Sequence, residues 1–343
     1  MGQEFCKKEG CKNKALSLNE YCFKHISDIH AYIKVLEDYN KRKMSMEGFN
    51  LKGLIAPNIN FIGSNLSGAD LNYSNLSGAD FSASKLCNCD FVGANLSKVN
   101  FTGADCSFAH FMQADLSYVR ALNTNFIQAN LSEANLLNVN FLNAKLYKSN
   151  LYHASLDNAR FLTKENFSFQ INKFILKEGV EERGVRAAKE SYINLKKYFL
   201  ISARYDDLSW ASFKENSMET KRLLEDKQIS FFPLWLMGLL CGWGERPLRA
   251  VIASLVIILG FAVIYFFNNS VAYNGFDAAV INYKMAFFDY IYYSTITFTT
   301  AGYGDFIPKA NIFYRFLAGS EAFIGIFMMG LFIFTLGRRF SSR

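Results

Sequence analysis

Between residues 49 and 164 a bulky apolar residue recurs at every fifth position. The series begins Phe61, Leu66, Leu71, Leu76, Phe81, Leu86, Phe91, Leu96 and Phe101, resumes at Phe111, Leu116, Phe126, Leu131 and Leu136, and runs on to Phe161. The register holds for 21 consecutive units from Phe61 to Phe161, weakened only at Cys106 and Ala121. Two positions before each apolar residue stands a small or β-branched one, such as Ala69, Ala79, Ala94, Ala104 or Ala114, with mostly Asn or Asp between the two. A period of five fits neither the helical period of about 3.6 nor the strand period of about 2. A unit this short buries its apolar residue only by stacking on copies of itself.

The rhythm then changes. Glu181 to Arg204 and Asp206 to Glu225 are rich in Lys, Glu, Ala, Leu and Arg. Val185, Ala188, Tyr192, Leu195, Tyr198 and Phe199 fall at helical spacing. A break at Tyr205-Asp206-Asp207 predicts two antiparallel helices, a helical hairpin linker over 165–230; a coiled partner-binding stalk is the alternative.

From residue 231 the chain is dominated by Phe, Ile, Leu, Val and Gly. Ala250 to Phe267 is 18 residues without a charge, long enough to cross a bilayer. Phe316 to Gly337 is a second such stretch, broken only by Glu321. Phe287 to Thr299 between them is apolar but too short to span, which predicts a re-entrant helix; irregular backbone at that depth is tolerated only where it lines a watery cavity. Phe231 to Leu240, with Trp235, is expected to lie along the interface, and Gly242 to Pro247 to turn into the first span. Arg246 and Arg249 before the first span, and Arg338, Arg339 and Arg343 after the second, place both flanks on the cytoplasmic side, with Lys284, Lys309 and Arg315 as exceptions on the outer side. Glu321, ionisable within a span, is a functional candidate that braces its surroundings or pairs with Arg315.

The formal net charge of +7 suits an anionic membrane surface or nucleic acid, and the apolar C-terminal third favours the membrane. Residues 1–30 hold no apolar run of the signal-peptide kind, so the soluble part is expected to be cytoplasmic, with its cysteines reduced. No nucleophile–base pair or phosphate loop is evident, so an enzyme is disfavoured.

The A-(D/N)-L-x-x pattern resembles the pentapeptide-repeat family. The resemblance implies a right-handed quadrilateral β-helix over 49–164, one pentapeptide per face and four per coil, its Leu, Phe and small residues pointing inward. Some members mimic DNA, but those are acidic. Residues 50–163 balance seven basic against seven acidic side chains, so no nucleic-acid mimicry or binding is expected. Cys87, Cys89 and Cys106 lie on the repeat lattice and read as core fillers.

The short helix ends in Thr299-Thr300-Ala301-Gly302-Tyr303-Gly304-Asp305. With Phe288-Asp289 and Tyr292-Tyr293 before it and Pro308 after it, this resembles the potassium-channel signature T-V-G-Y-G-D, with Ala301 in place of Val. The resemblance covers about residues 245–340 of an all-α two-span membrane pore expected over 231–343. It implies a homotetramer whose ion-binding selectivity filter is Thr300 to Gly304, potassium being held by the carbonyls of Thr300, Ala301, Gly302 and Tyr303, with the Thr300 hydroxyl at the innermost site. Gly302 and Gly304 supply backbone conformations open mainly to glycine. Tyr303 would pack outward on Tyr292 and Tyr293, with Thr299 and Asp305 also supporting the filter. Gly325 and Gly330 in the second span are hinge candidates, Gly325 the better placed; close helix packing is the other reading. No helix carries the periodic arginines of a voltage sensor.

In residues 1–30, Cys6, Cys11, Cys22 and His25 have the spacing C-x4-C-x10-C-x2-H. Soft ligands in two close pairs suit tetrahedral zinc, and a segment with almost no apolar core needs a metal to hold it. It resembles small Cys3His zinc modules; four unconnected thiols and imidazole are the alternative. The expectation is therefore a multidomain, multi-pass plasma-membrane potassium channel with both termini cytoplasmic, embedded in lipid and gated through its repeat domain by a ligand or protein that the sequence leaves open. A membrane-tethered repeat scaffold and a less selective cation channel are the alternatives.

Overall fold

A computed structural model describes residues 5–171, 174–180, 184–274 and 284–341. Glu181 and Arg343 lie outside them. The chain forms two compact units, Met1–Asp226 and Lys227–Arg343.

In the first unit, parallel bridges join residues twenty apart in an unbroken series from Asn50–Asp70 to Asn140–Arg160, so four pentapeptides make one coil. The expected inward residues are inward: Phe61, Leu66, Leu71, Leu76, Phe81 and their successors are buried, with Ala69, Ala79, Ala94 and Ala104. Phenylalanines stack along the interior, Phe81 lying 5.3 Å from Phe61 and 5.5 Å from Phe101. Cys89 and Cys106 are buried among them, and burial pushes the Cys89 thiol up to about 12.

The core begins before Phe61, with Met46, Leu51, Leu54 and Ala56 fully buried, and the rod ends before Phe161, which is exposed in a left-handed conformation. The lattice also imposes a constraint that the apolar period does not reveal. Every fifth residue from Gly48 to Asn158 has positive φ, including Tyr73, Phe108 and Glu133. At each of these corners the amide of the following residue bonds to the carbonyl three before it, as Ala69 does to Leu66 at 2.9 Å. That combination is a type II turn, which requires φ > 0 at its third position.

Both rod ends are covered. Helix α1 (Ile29–Lys41) closes the first. Its buried Tyr32, Leu36 and Asn40 face the first coil, and Asn40 Nδ2 donates to the carbonyls of Asn60 and Ile62 at 3.4 and 3.3 Å. Asp28 caps the helix by accepting from the Ala31 amide at 2.9 Å. At the far end stand a two-stranded ribbon, β1 (Ser168–Ile171) and β2 (Phe174–Glu178), and helices α2 (Val185–Ile201) and α3 (Tyr205–Glu225). Phe167 stacks on Trp210 at 5.6 Å, and the Tyr198 hydroxyl donates to the Ala159 carbonyl at 2.8 Å. Ala188, Tyr192, Leu195 and Phe199 belong to the same core cluster as the repeats. The hairpin is thus packed into the rod's unit, a closer association than a linker requires.

The second unit contains α4 (Phe231–Cys241), α5 (Pro247–Asn268), β3 (Val271–Tyr273), α6 (Phe287–Phe298), β4 (Phe306–Pro308) and α7 (Ile312–Ser341). The long helices α5 and α7 are long and apolar enough to cross a membrane. Pro247 starts α5 at the position where a missing N–H costs nothing. Helix α6 begins where Asp289 Oδ2 accepts from the Ala286 amide at 2.7 Å. At 12 residues it is about 18 Å long, well short of the bilayer's hydrocarbon core. Antiparallel pairing of β3 with β4 ties the segment after α5 to the segment after α6.

Candidate functional site

Helix α6 ends at Phe298, and the next four residues fold back on its last turn. The Thr300 amide donates to the Thr297 carbonyl at 3.0 Å, and the Ala301 amide to the Ile296 carbonyl at 2.9 Å. From Thr300 to Gly304 the sign of φ alternates: it is positive at Thr300 (56°), Gly302 (46°) and Gly304 (83°). Gly302 and Gly304 are the two positions the sequence assigns to glycine-favouring backbone. Thr300 joins them without being glycine, which composition gave no way to foresee.

Residues 299–304 are exposed. Among the described residues the carbonyls of Thr300, Ala301, Gly302 and Tyr303 accept no hydrogen bond. Downstream the pattern stops, because Asn274 donates from its side chain to the Gly304 carbonyl (3.3 Å) and from its backbone to the Asp305 carbonyl (2.7 Å). Four consecutive exposed residues therefore keep their carbonyls unbonded among the described residues, in a segment fixed at one end by α6 and at the other by Asn274 and β4.

The expected aromatic support differs in detail. Tyr303 is 75% exposed, and among the described residues no ring contact joins it to Tyr293. Tyr293 is buried against Tyr265 of α5, ring centroids 5.1 Å apart. Tyr292 stacks edge-on to Phe306 at 5.7 Å, beside the Asp305 that leads into β4. An aromatic cuff around Tyr303 is thus not closed by one chain. Thr299 caps α6, its hydroxyl donating to the Thr295 carbonyl at 2.8 Å.

The two glycines of α7 are not equivalent. A Cβ on Gly325 would overlap the Phe298 carbonyl oxygen at the end of α6, whereas one on Gly330 would meet nothing within 4 Å. Gly325 is what lets α7 approach the base of the short helix.

Glu321 of α7 is fully buried. Its partners are the Tyr265 hydroxyl of α5, at 2.7 Å, and the Ser294 hydroxyl of α6, rather than Arg315. At the other end of α7, Arg338 pairs with Glu245 at 2.9 Å and donates to the Trp243 carbonyl at 3.1 Å. The end of α7 and the α4–α5 turn therefore meet on one side of the unit.

A second cluster lies in the N-terminal segment. The ligand atoms of Cys6, Cys11, Cys22 and His25 all lie within 4.8 Å of one another. His25 Nδ1 is 3.4 Å from the sulfurs of both Cys6 and Cys22, and the Cys11 and Cys22 sulfurs are 3.8 Å apart. A tetrahedron with Zn–S of about 2.3 Å and Zn–N of about 2.1 Å has edges of roughly 3.8 and 3.6 Å, so the cluster fits zinc. Burial pushes the Cys6 thiol up, but hydrogen bonds from the backbones of Cys22 and Lys8 and from His25 outweigh it and leave it at about 6. At Cys11 a backbone hydrogen bond at Asn13 pulls down, yet burial and the neighbouring Cys22 and Cys6 raise it overall.

The ion-channel family model, described as "Ion channel", matches residues 251–342. The pentapeptide-repeat model matches residues 48–82, 79–117 and 124–161. Among solved structures, a pentapeptide repeat protein (Rfr23) from the cyanobacterium Cyanothece 51142 is 22% identical, with 38% of this chain and 99% of that one covered at a TM-score of 0.30. A pentapeptide repeat protein from the thylakoid lumen of Arabidopsis thaliana is 21% identical over 33% of this chain and 68% of that one, TM-score 0.20. HetL, a pentapeptide repeat protein from Nostoc sp. strain PCC 7120 involved in heterocyst differentiation regulation, is 28% identical over 34% of this chain and 55% of that one, TM-score 0.17. Comparison with curated proteins gave no significant match.

Proposed function

We propose that this chain, which joins pentapeptide repeats to an ion-channel domain, is one of four identical subunits of a potassium-selective channel. The observation that carries this reading is the run of exposed residues from Thr300 to Tyr303 whose carbonyls have no partner among the described residues, held at the end of a helix too short to span. At membrane depth such groups need a partner. A dehydrated potassium ion needs oxygens in place of its water shell, and four copies of this segment around one axis supply rings of them.

In this arrangement Thr300, Ala301, Gly302 and Tyr303 bind the ion. Gly304 turns the chain outward, and Thr299, Asp305 and Tyr292 fix the two ends of the filter. The negative C-terminal end of α6 favours a cation beneath it. Tyr303 finds its aromatic neighbours on an adjacent subunit, and Tyr293 contributes by holding α6 to α5. Gly325 and Gly330 are the sites where α7 bends; a bend at Gly325 first has to part α7 from Phe298. Ala301 favours a second reading, a less selective cation channel, because its small side chain packs less volume behind the filter than valine would.

The rod's coils wind to the right and lie on the cytoplasmic side of the plasma membrane, and they transmit a ligand or protein signal to the pore. Zinc, when bound by Cys6, Cys11, Cys22 and His25, supplies four bonds that hold the N-terminal segment in place. Gly302→Ala tests the reading directly, since a methyl group resists φ near 46°. Purified protein in liposomes should pass potassium, and the variant should lose selective flux. Unaltered potassium-over-sodium selectivity in Gly302→Ala would count against the assignment.

A further inference from the structure

The geometry points to Glu321 as a neutral, proton-carrying carboxylic acid that positions α6 against both spanning helices. The inference rests on the channel reading, in which α6 is the pore helix. Glu321 is fully buried, and among the described residues it forms no ion pair with Lys, Arg or His. Its two oxygens reach two different elements: Oε2 accepts from the Tyr265 hydroxyl of α5 at 2.7 Å, and Oε1 contacts Ser294 Oγ of α6. Ser294 Oγ also lies 2.8 Å from the Ile258 carbonyl of α5.

Counting protons decides the state of the acid. A serine hydroxyl has one proton, and a backbone carbonyl only accepts. If the Ser294 proton points at Ile258, the proton between Ser294 and Glu321 must belong to the carboxyl. An ionised Glu321 would instead take the serine's proton and leave two acceptor oxygens facing each other at 2.8 Å. It would also be a buried charge without a counter-ion, among the most costly arrangements a fold can contain. The neutral acid donates once and accepts once, and every group in the chain Tyr265–Glu321–Ser294–Ile258 is satisfied. Three helices meet at this one side chain, and Tyr265 also packs its ring on Tyr293 of α6. The register of the pore helix, and through it the filter, is set here.

Glu321→Gln distinguishes the two states, because an amide also donates once to Ser294 and accepts once from Tyr265. In reconstituted tetramers, E321Q should keep the wild-type potassium-to-sodium permeability ratio. E321A and S294A should lower that ratio by about tenfold or more, since each removes two buried hydrogen bonds. The wild-type minus E321Q infrared spectrum should contain the carbonyl stretch of a protonated carboxylic acid. Failure of E321Q to assemble, selectivity in E321Q as poor as in E321A, unchanged selectivity in E321A and S294A, or absence of the protonated-acid band would each overturn the inference. The infrared readout does not depend on conduction. A band without any wild-type potassium current would therefore count against the channel reading and not against the protonated acid.

Discussion

Phe81 shows how much of the rod rests on single residues. It lies between Phe61 and Phe101 and edge-on to Phe91 at 6.1 Å, with no exposed surface. Phe81→Ala leaves a cavity that stacked coils cannot close, and should cost about 3–5 kcal/mol. Pulse proteolysis of the full chain reads that loss; an unchanged cleavage midpoint would mean that the stack contributes little. Phe81 was legible from the five-residue period alone. The turn corners were not: Tyr73, Phe108 and Glu133 take the left-handed conformation because the lattice demands it, against a cost of about 1–2 kcal/mol each. Glu321 was legible only as an anomaly. Its partners Tyr265 and Ser294 lie 56 and 27 residues away, a pairing that no local pattern encodes.

Among elements, α2 and α3 are joined by the ion pairs Lys189–Glu219 at 2.7 Å and Lys196–Glu215 at 2.5 Å, and within α3 Glu219 also meets Arg222 at 2.8 Å. The Arg222 hydrogen bond comes first in holding the Glu219 carboxyl down to about 2 from its ordinary 4.5; burial opposes it and Lys189 assists. A carboxyl depressed by folding contributes stability that is fully present above about pH 4.5 and is lost as pH falls toward 2. Glu219→Gln should therefore lower the melting temperature at pH 7, and the gap to wild type should narrow steadily below pH 4.5; a gap independent of pH would refute this. The helical hairpin itself was readable from its apolar spacing. Helix α1 carries the same signal at Ile29, Tyr32, Ile33 and Leu36, and was missed because it is short and adjoins the stronger repeat pattern. In the second unit the contact between Gly325 and the end of α6 sets the spacing of α6 and α7. Gly325→Ala has to push the two helices apart, and should reduce the potassium-to-sodium permeability ratio by about tenfold or more, as expected for one overpacked contact. Gly330→Ala, with open space around it, should leave that ratio unchanged; equal behaviour of the two variants would contradict the packing role.

At the scale of the whole molecule, the change of hydrophobic rhythm near residue 231 announces two bodies, and the compact units divide at Asp226 and Lys227. Sequence alone suggests a cut after residue 164, but the hairpin's Ala188, Tyr192 and Phe199 share the rod's core, so that cut would strip its apolar face. Removal of residues 1–226 should leave a conducting pore with altered open probability, and identical gating in single-channel records would make the rod a bystander. The proposed tetramer cannot be read from one chain's contacts, because the carbonyls that would line its pore meet across an axis outside any single chain. Every functional assignment depends on those carbonyls selecting potassium. The most direct test is the reversal potential of the purified full-length protein in a planar bilayer, with potassium on one side and sodium on the other. A reversal potential displaced strongly toward that of a potassium-selective membrane is the predicted result; a value near zero, with both ions carrying current equally, would contradict it.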